Sequence, residues 1–336
     1  QSIHQSAAPH VYRGLTGRVR DVLEAADVRI NGSRPWDMQI HHPRTLTRIA
    51  LQRSLGLGES YMDGWWDCDA LDEFFHRLLT HGANRVSHSP LQNGLQWLGH
   101  WLFNRQNLHR STKVARKHYD LGNDLFEAML DPSMSYSCGY WRDAETLAQA
   151  QEAKLELICR KLNLKPGMTL LDIGCGWGAL IIHAAQHYGV HAHGVTLSRH
   201  QFTKAQQRID EAGLQDRVTV ELRDYRDLQG EAIYDKVASV GMFEHVGLKN
   251  LPVYFATVQR LLKPAGLFLN HGITNFTEGW NKTLSTEFIN RFIFPDGQLD
   301  TISNVQHVME RADFEIADVE SLRPHYALTL RHWVSR

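Results

Sequence analysis

At 336 residues, 43% hydrophobic and 22% charged, the chain has room for two ordinary cores and is too apolar to be disordered. Its 36 Lys and Arg against 37 Asp and Glu leave a net charge of −1, which excludes a global pull toward nucleic acid; any contact with a charged surface must be local. The four cysteines, Cys68, Cys138, Cys159 and Cys175, form no CxxC pair and no zinc-spaced cluster with histidine, so they read as reduced thiols in cytosol, with no metal site. No 18-residue apolar run and no signal-peptide core is present. The chain begins at Gln1 without methionine, and a few preceding residues are expected.

In chain order, a smaller α+β module is expected over 1–110. It starts with a helix at Leu15–Ala26, a hairpin signal at Asn31-Gly32 and helices at Thr45–Leu55 and Ala70–Leu79, the last two separated by GLGESYMDGWWDCD. Residues 91–117 contain no acid, and Trp97, Trp101 and Phe103 precede Arg105, Arg110, Lys113, Arg116 and Lys117. Tryptophan beside clustered cations suits a lipid headgroup boundary, while a buried helix followed by a solvated linker fits equally well. A second domain over 111–336 alternates from Gln149 onward: helix to Leu162, strand 169–173, helix Ala179–Tyr188, strand HAHGVTL, helix Arg199–Ala212, strands VTVEL and KVASV, helix Leu251–Leu262 and strand GLFLNHG. Such alternation predicts a doubly wound, mostly parallel α/β sheet of Rossmann-like type, with its ligand at the strand C-termini.

The most specific signal is LLDIGCGWGAL, where a buried strand turns into a helix through Gly174, Gly176 and Gly178. Glycines there permit positive φ and bring backbone amides close to a ligand at a positively polarised helix N-terminus. The spacing is GxGxG rather than GxGxxG, and no acid lies about 20 residues on, which disfavours a dinucleotide. With Asp172 in front, the pattern D-x-G-x-G-x-G resembles the first motif of Rossmann-like S-adenosylmethionine (AdoMet) methyltransferases.

Further segments extend the likeness. YMDGWWDCDALDEFF, ARKHYDLGNDLFEAMLDPSMSYSCGYW, LKPGMTLLDIGCGWG, GVTLSRHQ, RDYRDL, SVGMFEHVG and RPHYALTL together resemble the cyclopropane-fatty-acyl-phospholipid synthases across nearly the whole chain. The mycolic-acid cyclopropane synthases and methyltransferases are similar over the catalytic half. The resemblance implies transfer of a methylene group from AdoMet to the cis double bond of unsaturated acyl chains in membrane phospholipids. It implies a homodimer in the cytoplasm, peripherally associated with the inner face of the membrane, whose N-terminal module serves lipid binding and subunit pairing. By position, Gly174, Cys175 and Gly176 would line the methionine moiety and Gln201, helped by Thr196, the ribose. Tyr225 and Arg226 would flank the adenine, and Tyr136 and Ser137 would cover the cofactor. Without the resemblance, Gln201 reads as a solvated residue of a first helical turn.

An isolated alkene is a poor nucleophile, so such a site must hold the sulfonium methyl close to the π bond and exclude water. The resulting carbocation needs aromatic stabilisation, for which Tyr136, Tyr140, Trp141, Phe243 and Tyr326 are candidates, and a base to remove a proton as the ring closes. The resemblance implies that Glu244, His271, Cys138 and Tyr326, with the backbone at Ile273, hold a bicarbonate ion as that base. On residue chemistry alone Cys138 reads as a small buried hydrophobe and His271 as a core histidine. Two departures stand out: the chain stops at Arg336 where the synthases continue, so a further helical segment is expected, and the first half of NHGITNFTEGWNKTLSTEFINRFIFPDGQ differs, which leaves acyl preference open. A fatty-acyl C-methyltransferase giving a branched or methylene product, and a non-catalytic AdoMet- and lipid-binding protein, remain alternatives.

Overall fold

The computed structural model describes residues 10–81, 123–280, 286–294 and 297–336. The basic aromatic stretch 91–117 lies outside the described residues. The chain divides into two compact units, one comprising Gln1–Phe103 with Asn281–Ile293 and the other Asn104–Trp280 with Phe294–Arg336. No described helix is long and apolar enough to cross a membrane.

The first unit contains helices α1 (His10–Ala25), α2 (Thr45–Met62) and α3 (Leu71–Thr80), with strands β1 (Gln39–Ile40) and β2 (Trp66–Asp67) paired antiparallel. Leu23, Val28, Met38, Leu46, Trp66, Phe74 and Leu78 form its core. The Asn31-Gly32 hairpin does not form. Asn31 does take φ 53°, but the chain loops on to Met38 with a single parallel bridge to Ile30. The cause is Asp37: its buried carboxylate accepts from the Arg29 and Arg34 amides at 2.8 and 3.0 Å, and this satisfied polar knot replaces a strand ladder. Gly32 is required there, since a Cβ would lie 2.2 Å from Asp37 Oδ2. The late segment joins this unit through Phe288, whose ring would sit 2.2 Å from a Cβ on Gly58, and through Arg291, paired to Glu59 at 2.8 Å.

The second unit holds helices α4 (Asn123–Met129), α5 (Leu147–Lys161), α6 (Ala179–Tyr188), α7 (Arg199–Glu211), α8 (Leu251–Leu261), α9 (Ile302–Glu310) and α10 (Arg323–Val334). Strands β3 (Thr169–Ile173), β4 (His191–Thr196), β5 (Val218–Leu222), β6 (Tyr234–Val240) and β7 (Leu262–His271) pair in parallel in the order β5-β4-β3-β6-β7. Both faces of the sheet are covered. Leu170 joins a core with Leu155, Ile158 and Ile181, whereas Leu171 joins one with Tyr254, Phe255 and Val258, as the two-residue period of a strand demands. The chain winds outward from β3 to β5 and then returns to β6, so the order reverses between β3 and β6. A crevice opens at their C-terminal ends at such a reversal.

Candidate active site

At that crevice β3 gives way to α6 through Gly174, Gly176 and Gly178, with φ of 81°, 55° and 84°. Each lies in the left-handed region that side chains disfavour. Gly174 is also pressed by its neighbour: a Cβ would stand 2.9 Å from Met242 of the loop after β6.

The turn borders an open cavity with about 1270 Å³ of empty space, part of it continuous with solvent. Tyr136, Ser137, Asp172, Gly174, Cys175, Gly176, Thr196, Gln201, Tyr225 and Arg226 all line it. Gly178 does not: it caps α6, and its missing Cβ leaves only 3.3 Å to Ala205 of α7. Gln201 is buried rather than solvated, because the Ser198 hydroxyl caps α7 and the Thr196 hydroxyl donates to Gln201 Oε1 at 2.7 Å. Arg226 is gripped by the buried carboxylate of Asp224 at 2.6 Å, which keeps the guanidinium beside the Tyr225 ring. Burial drives the Cys175 thiol far above its ordinary pKa, so it stays protonated against the close-packed Gly194.

The loop that covers the cavity is held from two sides. From α5, Gln151 Nε2 donates to the carbonyls of Ser135 and Ser137 at 3.2 and 2.8 Å, and Lys154 Nζ donates to Ser137 Oγ at 3.0 Å. From α10, the Thr329 hydroxyl accepts from the Gly139 amide and from Trp141 Nε1 at 3.0 and 2.9 Å. Tyr140 and Trp141 stack on His325 and His332, and Tyr136 packs on Trp333. Three of the aromatic candidates, Tyr136, Tyr140 and Trp141, are therefore engaged with α10.

The five residues expected to handle the proton do not line this cavity: Glu244, His271 and Ile273 stand at the ends of β6 and β7, Cys138 in the loop above, and Tyr326 on α10. Glu244 follows β6 in a 3₁₀ turn and is 7% exposed. Its Oε1 accepts from the Ile273 amide at 2.7 Å, while its buried Oε2 has no hydrogen-bond partner among the described residues. Desolvation pushes its pKa up to about 7. The contact depends on Gly272, where a Cβ would fall 2.1 Å from the Phe243 ring and 2.9 Å from Glu244 Oε1. His271 ends β7 in register with Val240. Solvent still reaches part of its surface, yet desolvation of the ring, aided by the Lys154 and Lys161 ammonium groups, brings its pKa down to about 4. Cys138 is buried, its pKa raised to about 11 by desolvation, and its thiol faces the carbonyls of Gly139 and Leu322. Burial likewise raises Tyr326, which lies within electrostatic reach of Tyr136, Glu244 and Cys138.

Lys154 is the residue that motif reading misses. It is 3% exposed and lines the cavity wall. One signal was available: on α5 the buried positions are Leu147, Ala150, Gln151, Lys154, Leu155, Ile158 and Cys159, so an amide and an ammonium fall within the apolar stripe. A polar group there must be doing something other than facing water.

A parallel sheet with its order reversed beside a glycine turn, and a cavity at the C-terminal ends of its strands, is the architecture of an AdoMet-dependent methyltransferase. Residues 106–336 match the family model described as mycolic acid cyclopropane synthetase, and the chain belongs to that family. It is 47% identical over 318 residues to the cyclopropane-fatty-acyl-phospholipid synthase of Escherichia coli strain K12, covering 94% of this chain and 80% of that one. Among solved structures, it resembles the cyclopropane synthase MmaA2 from Mycobacterium tuberculosis at 37% identity and a TM-score of 0.63, over 69% of this chain and 84% of that one. It is also similar to the mycolic acid cyclopropane synthase CmaA1 complexed with SAH and CTAB, at 38% identity and a TM-score of 0.61, over 67% and 82% of the two chains.

Proposed function

We propose that the protein converts cis double bonds of unsaturated acyl chains in membrane phospholipids into cyclopropanes, with AdoMet as methylene donor and a bound bicarbonate as base. Bound AdoMet would supply the electrophilic methyl, and bicarbonate would accept one of its protons as the C–H pair closes the ring. The order β5-β4-β3-β6-β7 supports this reading by the sequence in which it presents the candidate residues. Tyr225 and Arg226 after β5 suit the adenine, Thr196 and Gln201 after β4 the ribose, and Asp172 to Gly176 after β3 the methionine end. Glu244 and His271, after β6 and on β7, are left for the proton.

The observation that carries the reading is the state of Glu244 and of the other groups expected to handle the proton. A thiol raised to about 11, a raised phenol and an imidazole lowered to about 4 are all neutral near pH 7. Neutral hydrogen-bonding groups can hold a small anion without surrendering a proton to it or taking one from it. Glu244 offers the unsatisfied Oε2, which needs a hydrogen-bond donor such as the hydroxyl of bicarbonate. A carboxylate near pKa 7 also tolerates sharing a proton with a second anion. Peripheral binding at the cytoplasmic face of the membrane and pairing of two subunits through the N-terminal unit complete the proposal.

The test is incubation of the protein with methyl-labelled AdoMet and vesicles of monounsaturated phospholipid, followed by proton NMR of the extracted lipid. Upfield cyclopropane methylene signals are the expected result. Label in the lipid without those signals would replace this reading with a branched-chain methyltransferase, and AdoMet binding without transfer to lipid would replace it with a binding protein.

A further inference from the structure

The cavity is bordered by two buried ionisable groups with no ion pair between them, a lysine and an aspartic acid whose pKa desolvation raises to about 7. Lys154 and Asp172 are each 3% exposed, and both line the wall beside the glycine turn. An ammonium has three N–H donors, yet among the described residues Lys154 Nζ has one bond, to Ser137 Oγ at 3.0 Å, and no carboxylate at ion-pair distance. Asp172 Oδ1 is buried without any hydrogen-bond partner among those residues. Burying one unpaired charge costs several kcal/mol, as an order of magnitude, so two on one wall call for a ligand of complementary charge.

We infer that Lys154 receives the α-carboxylate of the cofactor's methionine moiety, at the end of the cavity where Asp172 stands ready for the α-ammonium. The inference rests on AdoMet as cofactor and is independent of the acceptor lipid and of the bicarbonate. Lys154 would also link cofactor binding to the covering loop, because the same Nζ holds Ser137, one residue before Cys138. The groups acting on Lys154 are Asp131 after α4, Asp172 on β3, Cys138 in the covering loop and His271 on β7. Burial outweighs the two aspartates and lowers the lysine to about 8. A carboxylate ligand would raise it again, so binding near pH 8 should take up a proton.

The experiment compares, by calorimetry on the full chain, S-adenosylhomocysteine with its decarboxylated analogue S-adenosyl-3-thiopropylamine, which keeps the amine and lacks the carboxylate. Wild type should prefer the first ligand, and Lys154→Met should weaken it by about 10- to 100-fold more than it weakens the analogue, the worth of a hydrogen-bonded charge. Lys154→Arg should restore part of the preference. Equal weakening of both ligands, or none, would overturn the inference. Should Lys154→Met fail to fold, the wild-type preference carries the test: at pH 7 S-adenosylhomocysteine should bind at least about 10-fold tighter than the analogue, and equal affinity would overturn the inference. Loss of cyclopropane product with the ratio intact would count against the proposed function and not against Lys154.

Discussion

Glu244 is a carboxylate placed where ionisation is expensive, and the sign of its effect on stability follows. Its pKa is raised from 4.5 to about 7, so the favourable protonated form is fully present below about pH 4.5 and lost as pH rises through 7. Glu244→Gln keeps an acceptor for the Ile273 amide and removes the cost of ionisation. In bicarbonate-free buffer it should gain up to about 3 kcal/mol over wild type at pH 8 and almost nothing at pH 4, read by denaturant unfolding. The same variant should bind S-adenosylhomocysteine normally and lose product formation by at least about 100-fold, as expected for removal of a group that serves proton transfer. His271 has the opposite sign: depressed from 6.5 to about 4, it stabilises above pH 6.5 and that contribution is lost as pH falls through 4. At this scale the sequence was legible where a motif surrounds the residue. The glycine turn, Gln201 and Glu244 all stand in recognisable strings, the first and last just after strands and Gln201 in the first turn of α7. Lys154 was not legible in that way, because its meaning comes from the face of α5 it occupies and from Asp172 on another element.

The covering loop owes its position to α10 as much as to its own residues. One hydroxyl, on Thr329, accepts from the Gly139 amide and Trp141 Nε1 and donates to the His325 carbonyl at 2.9 Å. Thr329→Val preserves shape and strands both donors, which should cost about 1–3 kcal/mol per buried donor and speed amide exchange at Gly139. Affinity for S-adenosylhomocysteine should fall several-fold, since Tyr136 and Ser137 ride on the same loop. Unchanged exchange would mean that the aromatic stacks alone hold it. Gly272→Ala probes the opposite wall. With 2.1 Å to Phe243 the added methyl must displace either the ring or the β7 end, at about 1–3 kcal/mol, and activity should fall more than AdoMet affinity. Elements with one strong local signal were legible in advance: β3 and α6 fall on the expected residues, because a buried strand and a glycine-punctuated helix leave little choice. The Asn31-Gly32 hairpin was misjudged because a distant carboxylate, Asp37, decided the loop. The expected break near Leu55 is a kink: α2 continues to Met62 past Arg53, whose φ of 52° and ψ of −126° are non-helical.

At the scale of the molecule, an enzyme acting on acyl chains in a membrane must reach them with a chain whose net charge is −1. Overall attraction to an anionic surface is therefore negligible, and binding must come from a local concentration of cations. The stretch 91–117 supplies five Lys and Arg, no acid, and the aromatic residues Trp97, Trp101 and Phe103. Each basic residue near an anionic leaflet contributes about 1 kcal/mol, and the attraction decays within a Debye length. If this stretch is the membrane contact, reversing Arg105, Arg110 and Lys113 to Glu should weaken flotation with anionic vesicles by at least about 100-fold. Binding by the wild type should fall steeply as salt is raised, and binding to neutral vesicles should be weak in both. Affinity for S-adenosylhomocysteine should not change, because the cofactor cavity is lined by residues from 134 onward. That separation gives the test its force: the charge-reversed chain should still bind cofactor but turn over anionic-vesicle lipid slowly, and recover on monounsaturated substrate dispersed in neutral detergent. Equal activity on both presentations would remove this stretch from the membrane contact, and loss of cofactor binding would show that the substitutions had damaged the fold instead.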